Sequence, residues 1–510
     1  MIKVKYISFL LIVLALWGCQ DWLDINHDPN NPSEVDYELV LPSGITSVVY
    51  VMGGRYQILG ALWSQHWTQS PGASQYAGID SYDINSSSFD DNQYGELYSG
   101  ALKAFEYVRQ ESLKEQQWNY YLIATVMQAY TFQVLADLYD EIPFSEALQG
   151  EMNNLTPHYE KGQNVYDSLM VRIQTALDKN FEADDLKDPA EKDLIFNGDM
   201  DLWKEFAHTL MLKIYLRQSE ARPDVARAGI EALYNEEVDF LSEDARFSYF
   251  QNQSGQRNPL YETDIVVFGG NPNLILSRTL HSYLQENSDY DRLNYMFYTP
   301  DDGSAHKSLI QGNYNAPDEP AGTNSSSYSK PIILANSPVY LMSYTESCLL
   351  QAEAMIRYNT GSYAEAKDLY DNGTTDAYLR VLSLSGLSDD NFTDLIESFL
   401  NDQYRFPTEG SPLEIFIKAI IIQKWVSLAG IQDLETFFET NRTHYPEISE
   451  VSPDDENYIP GEFTVSVNNV TSGRFPKRLI FPESEISGNP YTPEIKPVWE
   501  KIWWDVKQDD

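Results

Sequence analysis

Apolar residues recur at near-helical spacing through most of this chain, and long polar stretches separate the periodic blocks. Ile45 to Thr68 and Ala101 to Gln110 are two such blocks. Trp118 to Tyr139 is longer and apolar on several faces, which is the pattern of a buried helix. Thr156-Pro157 places a capping threonine before a proline at a first helical position, so a helix is predicted from there to about Asn180. Leu202 to Ser219 and Pro223 to Tyr234 form a predicted pair, as do Val339 to Tyr358 and Tyr363 to about Ser383. Glu414 to Phe438 reads as one long helix. Between these blocks lie Gly-, Asn-, Ser- and Tyr-rich stretches at 69–100, 249–273 and 298–338, long enough to be either functional or mobile. The tail from Tyr445 is rich in Pro and Gly and is expected to add a small irregular sheet.

The first nineteen residues change the picture. Lys3 and Lys5 precede an apolar run from Tyr6 to Trp17. Twelve residues at about 1.5 Å each do not cross a hydrocarbon layer of about 30 Å, but they suit a secretory signal. The run ends in Leu16-Trp17-Gly18-Cys19, which resembles a bacterial lipobox, with bulky Trp17 as a departure. Residues 1–18 are therefore expected to be a lipoprotein signal peptide and Cys19 the lipidated residue, the alternative being an ordinary secretory peptide with an incidental cysteine. Acyl chains on Cys19 would anchor the protein without a transmembrane helix. Residues 19–44 read as a tether, because Pro29 and Pro32 push the residues before them out of helical geometry. Asp24, Asn26, Asp28 and Asn30 alternate as at the start of a calcium loop, but the glycine and closing glutamate are missing, so a solvated linker is expected and no metal. No linker divides the remainder, and 45–510 is read as one domain. The only other cysteine, Cys348, is expected to be a buried apolar residue of a helix.

Charge narrows the function. The 77 acidic against 35 basic residues give −42, and no Lys/Arg cluster appears, so nucleic acid is excluded as a partner. With 42% hydrophobic and 13% aromatic residues, the chain can still bury a large core. The segments 339–358 and 363–383, joined by Asn359-Thr360-Gly361, look like a degenerate tetratricopeptide unit. The expected fold class is mainly α: a tetratricopeptide-like helical-repeat scaffold with a loop-rich irregular region and minor β.

Seven blocks in order then carry a more specific resemblance. DINHDPNNPSEV, ADLYDEIPFSEAL, NLTPHYEKGQNVYDSL, IFNGDMDLWKEFAHTLMLKIYLR, SYTESCLLQAEA, IIIQKWVSLAG and GRFPKRLIFPESE resemble, in sequence and order, blocks of the SusD/RagB family in its second subgroup. Asp140 stands where that family usually has glycine, and His208 where it has asparagine. The resemblance covers nearly all of the chain after Cys19. It implies an outer-membrane, surface-facing lipoprotein of Bacteroidetes type, without enzymatic activity or cofactor. Such a protein would capture oligo- or polysaccharide and hand it to a SusC-like TonB-dependent transporter. An oligopeptide cargo in the same transport system is the alternative, and a lipid-anchored glycoside hydrolase a more distant one.

A sugar ring offers C–H groups on its face and hydroxyls at its rim, so aromatic faces and planar polar side chains are the chemistry to look for. In the stretch from Trp63 to Tyr98 the candidates are Trp67, Tyr76 and Tyr82 as rings, and Gln75 and Asp83 as hydrogen-bonding groups. Trp63, four residues before Trp67 on the same helical face, reads as core. In the second stretch they are Tyr298, Asn313 and Tyr314, with Tyr328 nearby; Gly312 would let a ligand approach the backbone beside Tyr314. For each ring, packing against the scaffold is the competing expectation. Trp503 and Trp504 read as a seal for the C-terminus. With so many carboxylates some pair always lies at glycosidase separation, so acids alone indicate no catalysis. No G-x-S-x-G, H-E-x-x-H or Gly-rich phosphate loop occurs, and the histidines lack ligand spacing. His208 reads as a hydrogen-bonded core residue. The acidity favours a neutral glycan, since a polyanion would be repelled within a Debye length of about 8–10 Å.

Overall fold

A computed structural model of the chain describes residues 35–270, 272–315, 325–383 and 393–507. The signal segment, Cys19, the calcium-like run 24–30 and part of the second loop, 316–324, lie outside the described residues. The fold is mainly helical, as expected. The first helices are α1 (Tyr37–Met52), α2 (Arg55–Trp63), α3 (Lys103–Lys114), α4 (Trp118–Tyr139) and α5 (Gly162–Leu177). They are followed by α6 (Met200–Arg217), α7 (Pro223–Asn235), α8 (Arg278–Glu286) and α9 (Tyr290–Met296). A third group is α10 (Tyr344–Tyr358), α11 (Tyr363–Ser383), α12 (Thr393–Asn401), α13 (Leu413–Ser427) and α14 (Asp433–Thr443), and a short helix, Glu483–Gly488, follows in the tail. Helices adjacent in sequence pack as pairs: α3 with α4, α6 with α7, α10 with α11, and α13 with α14. The strands are short and form two-stranded antiparallel ribbons: β1 (Trp67–Gln69) with β5 (Leu274–Leu276), β2 (Glu141–Pro143) with β3 (Tyr159–Lys161), β4 (Ala245–Phe247) with β8 (Val339–Met342), and β6 (Phe297–Tyr298) with β7 (Lys330–Pro331).

Several boundaries differ from the expected ones, each for a local reason. Residues 37–44, read as tether, are the first turns of α1; Asp36 caps that helix by accepting a hydrogen bond from Glu38 N at 3.0 Å, and Pro42 sits inside it. The helix expected at Thr156-Pro157 starts only at Gly162, because Tyr159, Glu160 and Lys161 first pair with β2. Val339–Met342 is a strand, and α10 begins after it with Ser343 as cap. The long helix expected from Glu414 is two helices. Gly430 takes a φ of +80° between them, and its N–H donates to the Asp433 carboxylate at 3.0 Å. From Tyr445 onward the tail is mostly irregular, with an isolated bridge between Ile448 and Phe463. The sequence reading of individual core residues holds for Trp63, Cys348 and Trp504, all buried. His208 is half-buried, with Nδ1 3.0 Å from Asp239 O.

At the centre of the helices lies a buried ionic network. Arg217 of α6 meets Glu435 at 2.6 Å, Asp137 of α4 at 3.3 Å, and Glu439. Arg442 of α14 holds both carboxylate oxygens of Glu353 on α10 at 2.7 Å and Glu439 at 2.6 Å. Lys213 bonds Glu346 at 3.2 Å, and Lys424 of α13 lies 3.4–3.7 Å from Glu435, Glu439 and Glu346. Burial pushes the Glu439 carboxyl up, but Arg442, Lys424 and Arg217 outweigh it and hold it well below the usual range. Its contribution to stability is therefore present above the ordinary carboxylate range and is lost on acidification below it.

Removing one member leaves the others as uncompensated buried charge. Arg442→Met is expected to cost about 3–5 kcal/mol in urea denaturation at neutral pH; a loss below about 1 kcal/mol would contradict this role for the network.

Candidate functional site

The two sequence-identified loops meet on an irregular pad where distant segments interlock. β1 continues from α2 and pairs with β5, so that Trp67 faces Leu276 in register. Ser70 N donates to Asn273 O at 2.8 Å, extending the ribbon. Beyond β5, Ser277 bridges to Leu309, bringing the second loop alongside. Leu276 N donates to Ser329 O at 2.9 Å, which ties in the end of that loop.

One carboxylate joins the two loops. Asp80, fully buried, accepts from Thr68 Oγ1 at 2.8 Å and Gln69 N at 2.9 Å on the first loop, and from Gln311 Nε2 on the second. Thr68 Oγ1 in turn accepts from Gly312 N at 3.2 Å. Burial pushes the Asp80 carboxyl up to about 6 despite these donors. Asp264 plays a similar part at the pad's edge: it accepts from Asn273 N at 3.1 Å, lies beside the Tyr76 hydroxyl, and is likewise pushed up to about 6 by burial.

A third segment, 464–475, closes the pad. Val467 N donates to Gln311 O at 2.9 Å, Val470 N to Ser81 O at 3.0 Å, and Asn468 Nδ2 to Gly312 O at 2.6 Å. Gly312 has a φ of +74°, and a Cβ there would lie 1.9 Å from Ser466 Oγ, so no other residue fits without displacing that strand of chain. Val467 and Val470 are more than half exposed and flank the same surface. Sequence reading assigned this segment to the tail and missed it as a wall of the site.

The sequence-identified residues divide sharply. Trp67, Tyr76 and Tyr82 are each at most 3% exposed, and Asn313 is also buried. Their rings present no face to solvent, and packing against the scaffold is what they do. Trp67 lines a small apolar cavity of about 100 Å³ with Met296, Phe297, Pro331 and Ala429. Tyr76 sits edge-on to Phe268 with the Arg55 guanidinium 5.5 Å from its ring centroid. Tyr82 adopts a φ of +64°, which turns its side chain under the third segment, where the hydroxyl accepts from Ser466 N at 3.2 Å. Tyr328 is buried with Ile275 and Leu309.

Four candidates remain accessible. Tyr314 is half-buried against that small apolar cluster, with its hydroxyl 3.4 Å from Ala77 O and close enough to Asp80 and Asp83 to feel their charge. Asp83 and Gln75 are exposed on the first loop. Tyr298 is 51% exposed on a separate ribbon, opposite Lys330, which bonds Asp301 at 2.6 Å. The pad therefore brings Tyr314 and Asp83 together, with Gln75 two residues before the backbone that Tyr314 touches. Among the described residues, no group of three or more His, Cys, Asp and Glu is placed to hold a metal ion.

Residues 29–464 match a family profile, SusD-like_2, described as starch-binding and associating with the outer membrane. The chain belongs to the SusD-like family. The fold of this SusD-like protein is shared with solved structures of low identity. A SusD/RagB family protein from Bacteroides thetaiotaomicron is 21% identical, with a TM-score of 0.73, covering 93% of this chain and 100% of the neighbour. A SusD homologue from Bacteroides uniformis is 20% identical, with a TM-score of 0.72 and the same coverage. A chitin-binding SusD homologue from Flavobacterium johnsoniae is 18% identical, with a TM-score of 0.69, covering 92% of this chain and 99% of the neighbour. Among curated proteins, none matches.

The buried carboxylates give the pad a distinctive pH response. The folded state holds protons on Asp80 and Asp264 between the ordinary carboxylate pKa and about 6, where the unfolded chain has released them. Their contribution thus grows as pH falls through that window, opposite in sign to that of Glu439. Asp80→Asn, which cannot titrate, is expected to flatten the difference in urea midpoint between about pH 7 and about pH 5 relative to wild type; an unchanged difference would contradict the assignment.

Proposed function

We propose that this SusD-like protein is a non-catalytic glycan-capture protein of the outer membrane. It is anchored through acyl chains on Cys19, faces the cell exterior, and passes its ligand to a SusC-like TonB-dependent transporter. The observation that carries this reading is the family match across 29–464, whose description names starch and the outer membrane. The chitin-binding neighbour from Flavobacterium johnsoniae supports a carbohydrate cargo without fixing the sugar.

The accessible part of the pad suits such a role. Tyr314 offers a ring face and hydroxyl, and Asp83 and Gln75 offer planar acceptors and donors beside it. Tyr298 extends the set as a second accessible ring. Net charge of −42 and the carboxylates around Tyr314 favour a neutral glycan over a polyanion.

Affinity electrophoresis against soluble starch, mixed-linkage β-glucan and glycol chitin tests the reading. Retardation by at least one is expected. No retardation by any of them, together with binding to a peptide mixture, would replace it with oligopeptide capture, and release of reducing ends by purified protein would replace it with hydrolysis.

Tyr314→Ala and Tyr298→Ala are expected to weaken binding of the retained polysaccharide about ten-fold each, the loss of one stacking contact. Tyr50→Ala, a ring on α1 as exposed as Tyr298, should change nothing. Equal affinity for all three variants would remove these rings from the site. Cys19→Ala is expected to move the protein from the membrane fraction to the soluble fraction; continued membrane retention would contradict lipid anchoring there.

A further inference from the structure

An open cleft of about 520 Å³ lies on the scaffold where the chain entering α6, the β4 ribbon, the start of α10 and the second half of α11 converge. That volume falls within the range of about 300–1,000 Å³ typical of small-molecule sites. None of the candidate residues from the two loops lines it.

Its chemistry is mixed in a specific way. Ile195, Phe196 and Leu202 supply an apolar side, and the Tyr249 ring, packed edge-on against Phe247 at 5.5 Å, is still 56% exposed. The rest of the lining carries planar polar groups held in place by the scaffold. Asp244 Oδ1 accepts from Tyr344 N at 2.9 Å, and Asp376 Oδ2 accepts from Thr345 Oγ1 at 2.7 Å. Arg246 donates to the Tyr340 hydroxyl at 3.3 Å and lies 3.6 Å from Asp244, with nearly half of its side chain exposed. Arg380 also pairs with Asp376 and lies 3.7 Å from Asp244; each of these groups still keeps hydrogen-bonding capacity, since a carboxylate accepts about four bonds and a guanidinium donates five.

This composition selects among ligand classes. Arg246 and Arg380 pair with Asp244 and Asp376, which leaves Glu243 as an excess negative charge that disfavours an anion, and the carboxylates are not grouped as metal ligands. An apolar ligand would leave the polar side unpaired, at a cost for each desolvated group. A neutral polyhydroxylated ring satisfies both sides, with its C–H face on Tyr249 and its hydroxyls on Asp244, Arg246 and Asp376.

We propose that this cleft is a second carbohydrate subsite, separate from the loop pad, that engages another sugar unit of the same polymer. The proposal rests on the glycan-capture reading. Two linked subsites hold a polymer more tightly than either alone, because the second contact forms at high effective concentration.

Calorimetric titration of the full chain with maltohexaose and chitohexaose, and then with the corresponding polymers, tests it. Wild type is expected to show two binding events for one of the hexasaccharides. The double variant Tyr249→Ala/Arg246→Ala should show one, with polymer affinity reduced about ten-fold or more. Ser248→Trp, which fills the cleft from an exposed position, should do the same without removing any scaffold contact, and urea midpoints report whether each variant is folded. Wild type with a single event that neither variant alters would overturn the cleft and leave glycan capture standing. Wild type with no event for any sugar would overturn both. An event lost in the cleft variants but kept in Tyr314→Ala would uphold the cleft as a sugar site.

Discussion

Nine charged side chains inside the helical body set the terms for everything around them. Arg217, Arg442, Lys213 and Lys424 face Asp137, Glu346, Glu353, Glu435 and Glu439, all with side chains at most 8% exposed. Desolvating these groups is costly, and their mutual attraction repays the cost only if every partner is present in good geometry. Because the groups come from α4, α6, α10, α13 and α14, those helices can sit in only one register relative to one another. Hydrophobic packing would tolerate sliding of one helix along another far better than ion pairs at 2.6–2.7 Å do. The network therefore fixes the scaffold, and the scaffold fixes where the loops leave it. α14 illustrates the link: Glu435, Glu439 and Arg442 belong to the network, while Asp433 at its start accepts from Gly430 and contacts His66, the residue just before β1.

The loop pad is built on the opposite economy, a few buried carboxylates serving backbone donors. Asp80 ties the first loop to the second, Asp264 ties the 258–270 stretch to β5, and Gln65 pairs with the backbone of Thr464, accepting from its N at 3.1 Å and donating to its O at 2.6 Å. Irregular backbone must find partners for its N–H and C=O groups, and here polar side chains provide them where strands cannot. Such a pad is preorganised, so Tyr314 need not be ordered on binding, and less affinity is lost to ordering.

How much of this was legible in the sequence depends on how local the deciding contact is. Trp118–Tyr139 and Pro223–Asn235 were readable because their burial and capping patterns lie within the helix itself. Val339–Met342 was not, because its apolar run suits a buried helix equally well until β4, nearly a hundred residues earlier, pairs with it. The break between α13 and α14 turns on one glycine within a strongly apolar run. At the site the difference is greater. Tyr76 and Tyr82 lie in a polar loop that looks exposed, yet Phe268 and Ser466 cover them from segments almost 200 and 400 residues away. Tyr314 has the same local signature and stays accessible. No local pattern separates the two outcomes. The family resemblance carried the fold and the membrane association, and left the choice of rings to the three-dimensional packing.

The central claim is that a rigid ionic scaffold presents a preformed loop pad that captures glycan without rearranging. Hydrogen–deuterium exchange of the full chain, with and without a saturating amount of the polysaccharide it retains, addresses this most directly. The account predicts new protection confined to 74–87, 298–315, 466–474 and the cleft segment 242–249, and unchanged exchange in α4, α6, α10, α13 and α14. Protection centred on those helices, with the loops unaltered, would contradict it.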